Sequence, residues 1–509
     1  MDRKDRRLYL AVVLCALVPY VPALWNSFAM DDLYIILWNP LVHSMRGVWG
    51  AFAAPYWPPD LGGHMYRPLP LATFALDWSL VHGRPTWFHA INLLWHAGTA
   101  VAVTALVRRW SGMAAAVVAG AIFAVHPVHV EAIANVIGRA ELMAAAAVCL
   151  AVYAAVVRDS VIWSGLALLL GLLSKENAAV APGLIVWAWA LGIGPPPSPS
   201  AEAPVRPTRR RMAEFAVSWV VIALVYGVVR WGVLHPYERY HAIAPVFLGE
   251  SAFAGRLTAV AALADAARLL VAPLTLRVDY SPGERTIVRS LLDGRFALGL
   301  ACLALWAVLL VLAWRRSRRA EAFGLGWIAI AFLPVANLLF STGVLMAERT
   351  LYLPSVGLAV AAGAALARLD VARLRVVTVL LVLAGGIRSA LRTPVWHDDF
   401  AVTLSILTDS PNSFRGPQRM AVHYLSHRQA ARSLAAVRIS ERAYARDPAI
   451  YITGADAAFT LGQFRVADSM LVNLEQLCYR CGGYYRIQSM AARQRGDTAA
   501  ADSLWARMP

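Results

Sequence analysis

Charge is what this sequence has least of. Of 509 residues, 15% are Asp, Glu, Lys or Arg and 59% are hydrophobic, whereas a water-soluble domain of this length needs far more charge at its surface. The shortage excludes a soluble globular chain and implies a polytopic membrane protein. Acidic residues are scarcer than basic ones, 31 against 47, for a net charge of +16. Nucleic-acid binding is not the reason, because aromatics interleaved with bases on a soluble surface are missing. The bases sit in loops instead: Arg3, Lys4, Arg6 and Arg7, then Arg108 and Arg109, then 209–211, then four arginines within 315–319. By the positive-inside rule these loops are cytoplasmic. Cysteine is also rare. Among five, Cys478 and Cys481 form a lone CxxC with no second ligand pair nearby, which reads as a disulfide or two thiols rather than a zinc site. The first apolar run has no small-residue cleavage site and is too long for a removable signal, so it reads as a retained anchor. Beyond residue 396 no apolar run is long enough to span.

What is present is a ladder of apolar segments of the length that crosses a bilayer as helix. With the N-terminus inside, eleven spans are expected near 8–25, 88–107, 112–127, 139–157, 161–174, 178–192, 213–234, 296–314, 321–340, 351–367 and 374–392. The fold class is all-α, a membrane helical bundle at 1–393 followed by a helical tail at 394–509 outside. The stretch 257–276 contains Asp265 and Arg268, which are costly at a bilayer centre, so it is expected to be interfacial or re-entrant. The run "GPPPSPS" within 192–212 is expected to be a cytoplasmic linker.

This topology puts the unusual polar groups on the outer face. The first outer loop, 26–87, holds Asp31, Asp32, Arg67 and Asp77. Later outer segments add His126, His129, Glu131, Arg139, Glu141, Lys175, Glu176, Glu348 and Arg349. A carboxylate just outside an apolar span can take the proton of a hydroxyl that attacks an electrophile delivered from lipid, and Asp31 and Asp32 are the candidates. The bland alternative is a helix cap. The basic groups can neutralise a departing phosphate, against the alternative of snorkelling to lipid headgroups. His126, His129 and Glu131 have a metal-like spacing, but Pro127 breaks the helical register and no further histidine is near, so a metal is not favoured. A second acidic pair in "WHDDF", 396–400, reads as a cap.

Five ordered stretches carry a resemblance: "FAMDDLYIILWN" (28–39), "YRPLPLATFALDWSLVHGRPTWFHAINLLWH" (66–96), "HPVHVEAIANVIGRAEL" (126–142), "LLSKEN" (172–177) and "LLFSTGVLMAERTLYLPSVG" (338–357). Together they resemble the transmembrane and tetratricopeptide-repeat-containing O-mannosyltransferases of the GT-C superfamily of polyprenyl-phosphate-sugar glycosyltransferases. The resemblance implies an enzyme whose catalytic acid lies in the first outer loop, here Asp31 or Asp32. It implies phosphate- or sugar-site roles among Arg67, His126, His129, Glu131, Arg139, Lys175, Glu176, Glu348 and Arg349. It implies a polyprenyl-phosphate sugar donor, inversion by direct displacement, and basic side chains in place of an obligatory metal or other cofactor.

The tail agrees in part. "AAFTLGQFRVADSML" (457–471) realigns with "AARQRGDTAAADSLW" (491–505) at an offset of 34 residues, with a fainter unit at 424–448. That is the tetratricopeptide period, in an array of two or three helix pairs, shorter than the family's. The expected function is transfer of a sugar, mannose by resemblance, to an acceptor hydroxyl such as Ser or Thr of an exported protein or a glycan. The alternatives are a membrane scaffold presenting the repeats to a protein partner, and a carrier of lipid-linked glycans. Scarce charge with abundant alanine and arginine suggests a bacterial inner membrane, with site and tail in the periplasm.

Overall fold

The computed structural model describes residues 2–61, 63–194, 207–237, 243–478 and 482–507, and all regular structure among these is helical. Seven helices are long and apolar enough to cross a membrane: Arg3–Trp25, Pro85–Val125, Val136–Val156, Arg209–Leu234, Gly294–Arg315, Glu348–Leu366 and Val371–Trp396. All eleven expected segments are helical over most of their length, the ninth only as far as Val335. Three of them, however, form helices of only 14, 10 and 14 residues, at Val161–Ser174, Ala181–Ala190 and Arg319–Phe332, short of the roughly 20 needed to cross. The last is followed by a turn containing Pro334, which has no amide hydrogen for the helical ladder.

Pro85–Val125 holds two of the expected spans. A straight helix of its 41 residues would be about 60 Å long, twice the hydrocarbon thickness. It is broken at Gly112, where φ is 80° and ψ −171°, a conformation that favours glycine. His96 Nε2 then lies 3.0 Å from the carbonyl oxygen of Ala124, 28 residues further on. The chain therefore folds back on itself as a hairpin.

The helix Ala252–Val271 covers the ambiguous stretch as far as residue 271. Just before it, Tyr444 of the tail donates to the Pro245 carbonyl at 2.6 Å, and at its far end the Leu270 carbonyl meets His126 Nε2 at 2.9 Å. The turn that precedes the helix thus contacts the tail, and the last turn of the helix contacts His126. Asp265 is bound by Arg285 at 2.8 and 2.9 Å.

The bundle packs through small residues, as helices do where lipid supplies no hydrophobic drive. Arg319–Phe332 and Tyr352–Leu366 meet backbone to backbone at Gly324 and Gly357, where a Cβ on either would sit 2.4 Å from the other's carbonyl oxygen. Gly357→Leu is expected to push the pair apart and to destabilise the fold by about 3 kcal/mol, read as a lowered thermal unfolding midpoint in detergent.

The tail packs around its own core, with Val437, Ile450, Ala455, Ala467 and Leu474 buried. Its helices pair as Arg415–Ser426 with Ala430–Ala443, Pro448–Thr460 with Phe464–Leu477, and Gly482–Gln494 with Thr498–Trp505. Left-handed residues mark the three intervening turns at Arg428, Gly462 and Gly496, with φ of 59°, 68° and 82°. These positions are spaced by the same offset as the sequence repeat, and they include the fainter first unit. Cys478 is disulfide-bonded. Cys481 and most of the Pro-rich linker, 195–206, lie outside the described residues.

Candidate active site

The helix Arg3–Leu17 continues as a tighter turn, Val18–Trp25, and the acidic pair follows where the chain turns over the end of the bundle. The two aspartates part company there. Asp32 is 1% exposed and accepts three backbone amides, from Ile137 at 2.8 Å and from Ala29 and Val136 at 3.3 Å. It ties the first loop to the turn Val136–Gly138. Asp31, half-buried, instead lines a cleft with Tyr280, Arg349, Arg415 and Arg419.

Burial pushes the Asp32 carboxyl up to about 7, against the pull of the three amides, and the neighbouring Asp31 charge adds to the rise. The native state therefore holds a proton that the unfolded chain releases near pH 4. Stability from this group is present below that pH and is lost as pH rises to about 7, by about 1.4 kcal/mol per unit inside the window. The unfolding midpoint of the wild type should fall with pH across this range relative to Asp32→Asn, which carries no titrating group at this position.

Three acid–base pairs form beside the cleft from segments remote in sequence. Glu131 is clamped by Arg349, whose guanidinium meets one carboxylate oxygen while its backbone amide donates to the other at 2.8 Å. Glu141 binds the Lys175 ammonium and, at 3.1 Å, the Asn177 amide. Burial pushes the Lys175 ammonium down, Glu141 supports it, and the Arg67 and Arg349 charges push it further down. Glu176 is gripped by Arg67 at 2.9 Å and by Arg230 at 3.2 Å. Burial alone would raise the Glu176 carboxyl, but the Arg67 and Arg230 cations win and hold it at about 2. Lys175 thus lies within the field of both Arg67 and Arg349, and each of the three bases keeps some solvent exposure beside its acid.

Four of the expected phosphate- or sugar-site residues are engaged elsewhere. Arg139 is fully buried and all three nitrogens of its guanidinium are engaged. Nε donates to Asn92 at 2.9 Å, Nη1 to Asp77 at 2.5 Å and Thr73 at 3.1 Å, and Nη2 to the Phe88 carbonyl at 3.0 Å. It also lies over the Phe74 ring. His126 caps the turn Pro127–His129 through Nδ1 while Nε2 holds the Leu270 carbonyl. His129 bonds Ser355 at 2.7 Å and packs among Phe123 and Tyr352. With Glu131 committed to Arg349, the two histidines and Glu131 do not converge as a ligand set. Glu348 is 2% exposed and accepts from the Arg277 amide at 2.5 Å and the Tyr280 hydroxyl at 3.1 Å. It shapes the wall of the cleft and does not face into it.

The cleft also holds residues that sequence reasoning passed over. Arg415, Gln418 and Arg419 come from the tail helix Arg415–Ser426, and Asp279, Tyr280 and Ser281 from the segment after Val271. Asp279 accepts from Ser413 at 2.5 Å and so joins that segment to the tail. Of the second acidic pair, Asp398 caps the helix Asp399–Asp409 through the Ala401 amide at 2.8 Å, as expected. Asp399 reaches back to the first loop.

No family model matches the sequence. Among curated proteins, it is 27% identical over 371 residues to protein O-mannosyl-transferase TMTC3 of Homo sapiens, covering 65% of this chain and 40% of that one. It is 27% identical over 400 residues to TMTC4 of Homo sapiens, covering 68% and 54%. It is 24% identical over 434 residues to protein O-mannosyl-transferase F38B6.6 of Caenorhabditis elegans, covering 82% and 59%. The chain thus spans about half the length of the relatives it matches. A solved structure, ArnT from Cupriavidus metallidurans bound to undecaprenyl phosphate, overlaps 100% of this chain and 76% of that one, at 15% identity and a TM-score of 0.41. That overlap is too loose to transfer anything to this chain. The chain is thus similar in sequence to protein O-mannosyl-transferases, TMTC3 and TMTC4 of Homo sapiens among them.

Proposed function

We propose that this chain is a membrane glycosyltransferase that moves a sugar from a polyprenyl phosphate to an acceptor hydroxyl, with Asp31 as the base. The observation that carries the reading is the divergence of the acidic pair: Asp31 stands in an arginine-rimmed cleft while Asp32 is buried and consumed by amides. The acceptor hydroxyl gives its proton to Asp31, and its oxygen attacks the anomeric carbon. The bond from that carbon to the phosphate oxygen breaks, the electron pair leaves with the phosphate, and the configuration inverts. Arg349, with the neighbouring Lys175 and Arg67, stabilises the departing charge.

The names of the relatives favour mannose as the sugar and a protein hydroxyl as the acceptor. The domain reading that goes with this is a catalytic bundle over 1–393 and a helical repeat tail over 394–509. Arg108, paired with Asp5 at 2.9 Å, and Arg211, paired with Asp159 at 3.1 Å, cap the opposite end of the bundle from Asp31. With the positive-inside rule, this supports a reading in which that end is cytoplasmic and the site and tail are outside, in the periplasm if the membrane is a bacterial inner one.

Purified protein in lipid, offered a panel of polyprenyl-phosphate sugars with peptide and glycan acceptors, tests the proposal. Transfer by the wild type and none by Asp31→Asn supports it. No turnover across the panel, with binding of a protein through the tail retained, would favour the scaffold alternative.

A further inference from the structure

Three hydrogen bonds fasten the segment that carries Asp31 to the junction of bundle and tail, one to the last residue of the bundle and two to the tail. Asn26 Nδ2 donates to the Thr393 carbonyl at 3.3 Å, the Ser27 amide to the His397 carbonyl at 2.6 Å, and the Met30 amide to Asp399 Oδ1 at 2.9 Å. The last falls on the residue beside the acid, and Met30 has φ of 57°. A residue other than glycine adopts this left-handed conformation only where its surroundings hold it. Asp399 is itself clamped by Arg419, which comes from the next helix of the tail, donates to Thr403 at 3.2 Å, and lines the cleft with Asp31. The chain of contacts runs from Arg419 to Asp399, to the Met30 amide, and so to the direction in which Asp31 leaves the backbone.

We infer that Asp399 is a positioning residue for the base. Its carboxylate, held by Arg419, keeps the Met30 amide and the left-handed turn that aims Asp31 into the cleft. The inference rests on the reading of Asp31 as the base. It makes the first two helices of the tail, Asp399–Asp409 and Arg415–Ser426, part of the transfer site. It also gives the two residues of the second acidic pair separate tasks, one at the helix cap and one at the latch.

The test is made on the full chain in lipid, with kinetics, thermal midpoints and hydrogen exchange of the peptide spanning 26–36. Asp399→Ala is expected to lower kcat by about 10²-fold with little change in donor KM, because the base is displaced while the donor site is not. Exchange across 26–36 should quicken. Asp399→Asn keeps an acceptor for the Met30 amide and should restore most of kcat. Met30→Gly in the Asp399→Ala background should recover part of it, since glycine takes positive φ without support. A kcat for Asp399→Ala equal to wild type beside an inactive Asp31→Asn overturns the latch alone. So does Asp399→Asn as impaired as Asp399→Ala, or lost activity with unchanged exchange. Wild-type transfer by Asp31→Asn removes the base reading, and this inference with it.

Discussion

Asp31→Asn is expected to lower kcat by about 10²–10⁴-fold, the range that a positioned general base contributes, while leaving the fold intact. Asparagine matches aspartate in shape but cannot take the acceptor's proton. Asp31 is half-buried at a cleft wall, so little stability is at stake. Asp32→Asn should behave in the opposite sense. Both Asp32 oxygens receive amide hydrogens, and asparagine must turn an NH₂ towards at least one of them. That leaves a buried donor facing a donor, at a cost of about 1–3 kcal/mol. The measurement is a pair: kcat with the active donor, and the unfolding midpoint in detergent. Asp31→Asn should change the first and spare the second. Asp32→Asn should lower the midpoint at neutral pH only as far as the lost bonds outweigh relief of the buried charge. If both variants turn over like the wild type, neither acid is the base.

Asp77→Ala should be the most damaging single change to the fold, at about 3–5 kcal/mol, the cost of stranding one member of a buried ion pair. Asp77 Oδ2 receives Arg139 and its Oδ1 receives Trp87 Nε1 at 3.0 Å. Without it, the guanidinium keeps Asn92, Thr73 and the Phe88 carbonyl but has no counter-charge in a site closed to water. Removing both partners should cost less than removing one: the double variant Asp77→Leu with Arg139→Met should recover much of the lost midpoint. If instead Arg139 served the donor phosphate, Asp77→Ala would act on donor KM and leave the midpoint unmoved.

The two outcomes bear on how far residue type alone can be read. Arg139, His126 and His129 stand in the same kind of stretch as Glu131, at the ends of apolar helices near the same membrane face. A polar residue there looks alike in sequence whether it faces a cleft or closes a core. Arg139 turned inward because Asp77, Asn92 and Thr73 converge on it, and His126 because the Leu270 carbonyl comes down on its ring. Glu131, Glu141 and Glu176 were visible as acids near bases, but their partners Arg349, Lys175 and Arg67 with Arg230 became specific only on packing. Nothing local marked Arg415 or Arg419. They belong to a tail helix whose sequence reads as a solvated repeat, and they reach the cleft because the tail folds back over the end of the bundle.

Helix positions, the break between the two spans of Pro85–Val125, the offset of the tail turns and the general place of the acidic pair were determined by the sequence itself. Hydropathy, glycine and repeat spacing act over a few residues, and neighbours in the chain are enough to express them. The choice between Asp31 and Asp32 was not of that kind. Adjacent side chains leave the backbone in different directions, and which direction is a cleft depends on what else arrives. The turn Val136–Gly138 closes over Asp32, while Asp399, from the first helix of the tail, holds the Met30 amide and leaves Asp31 facing the arginines.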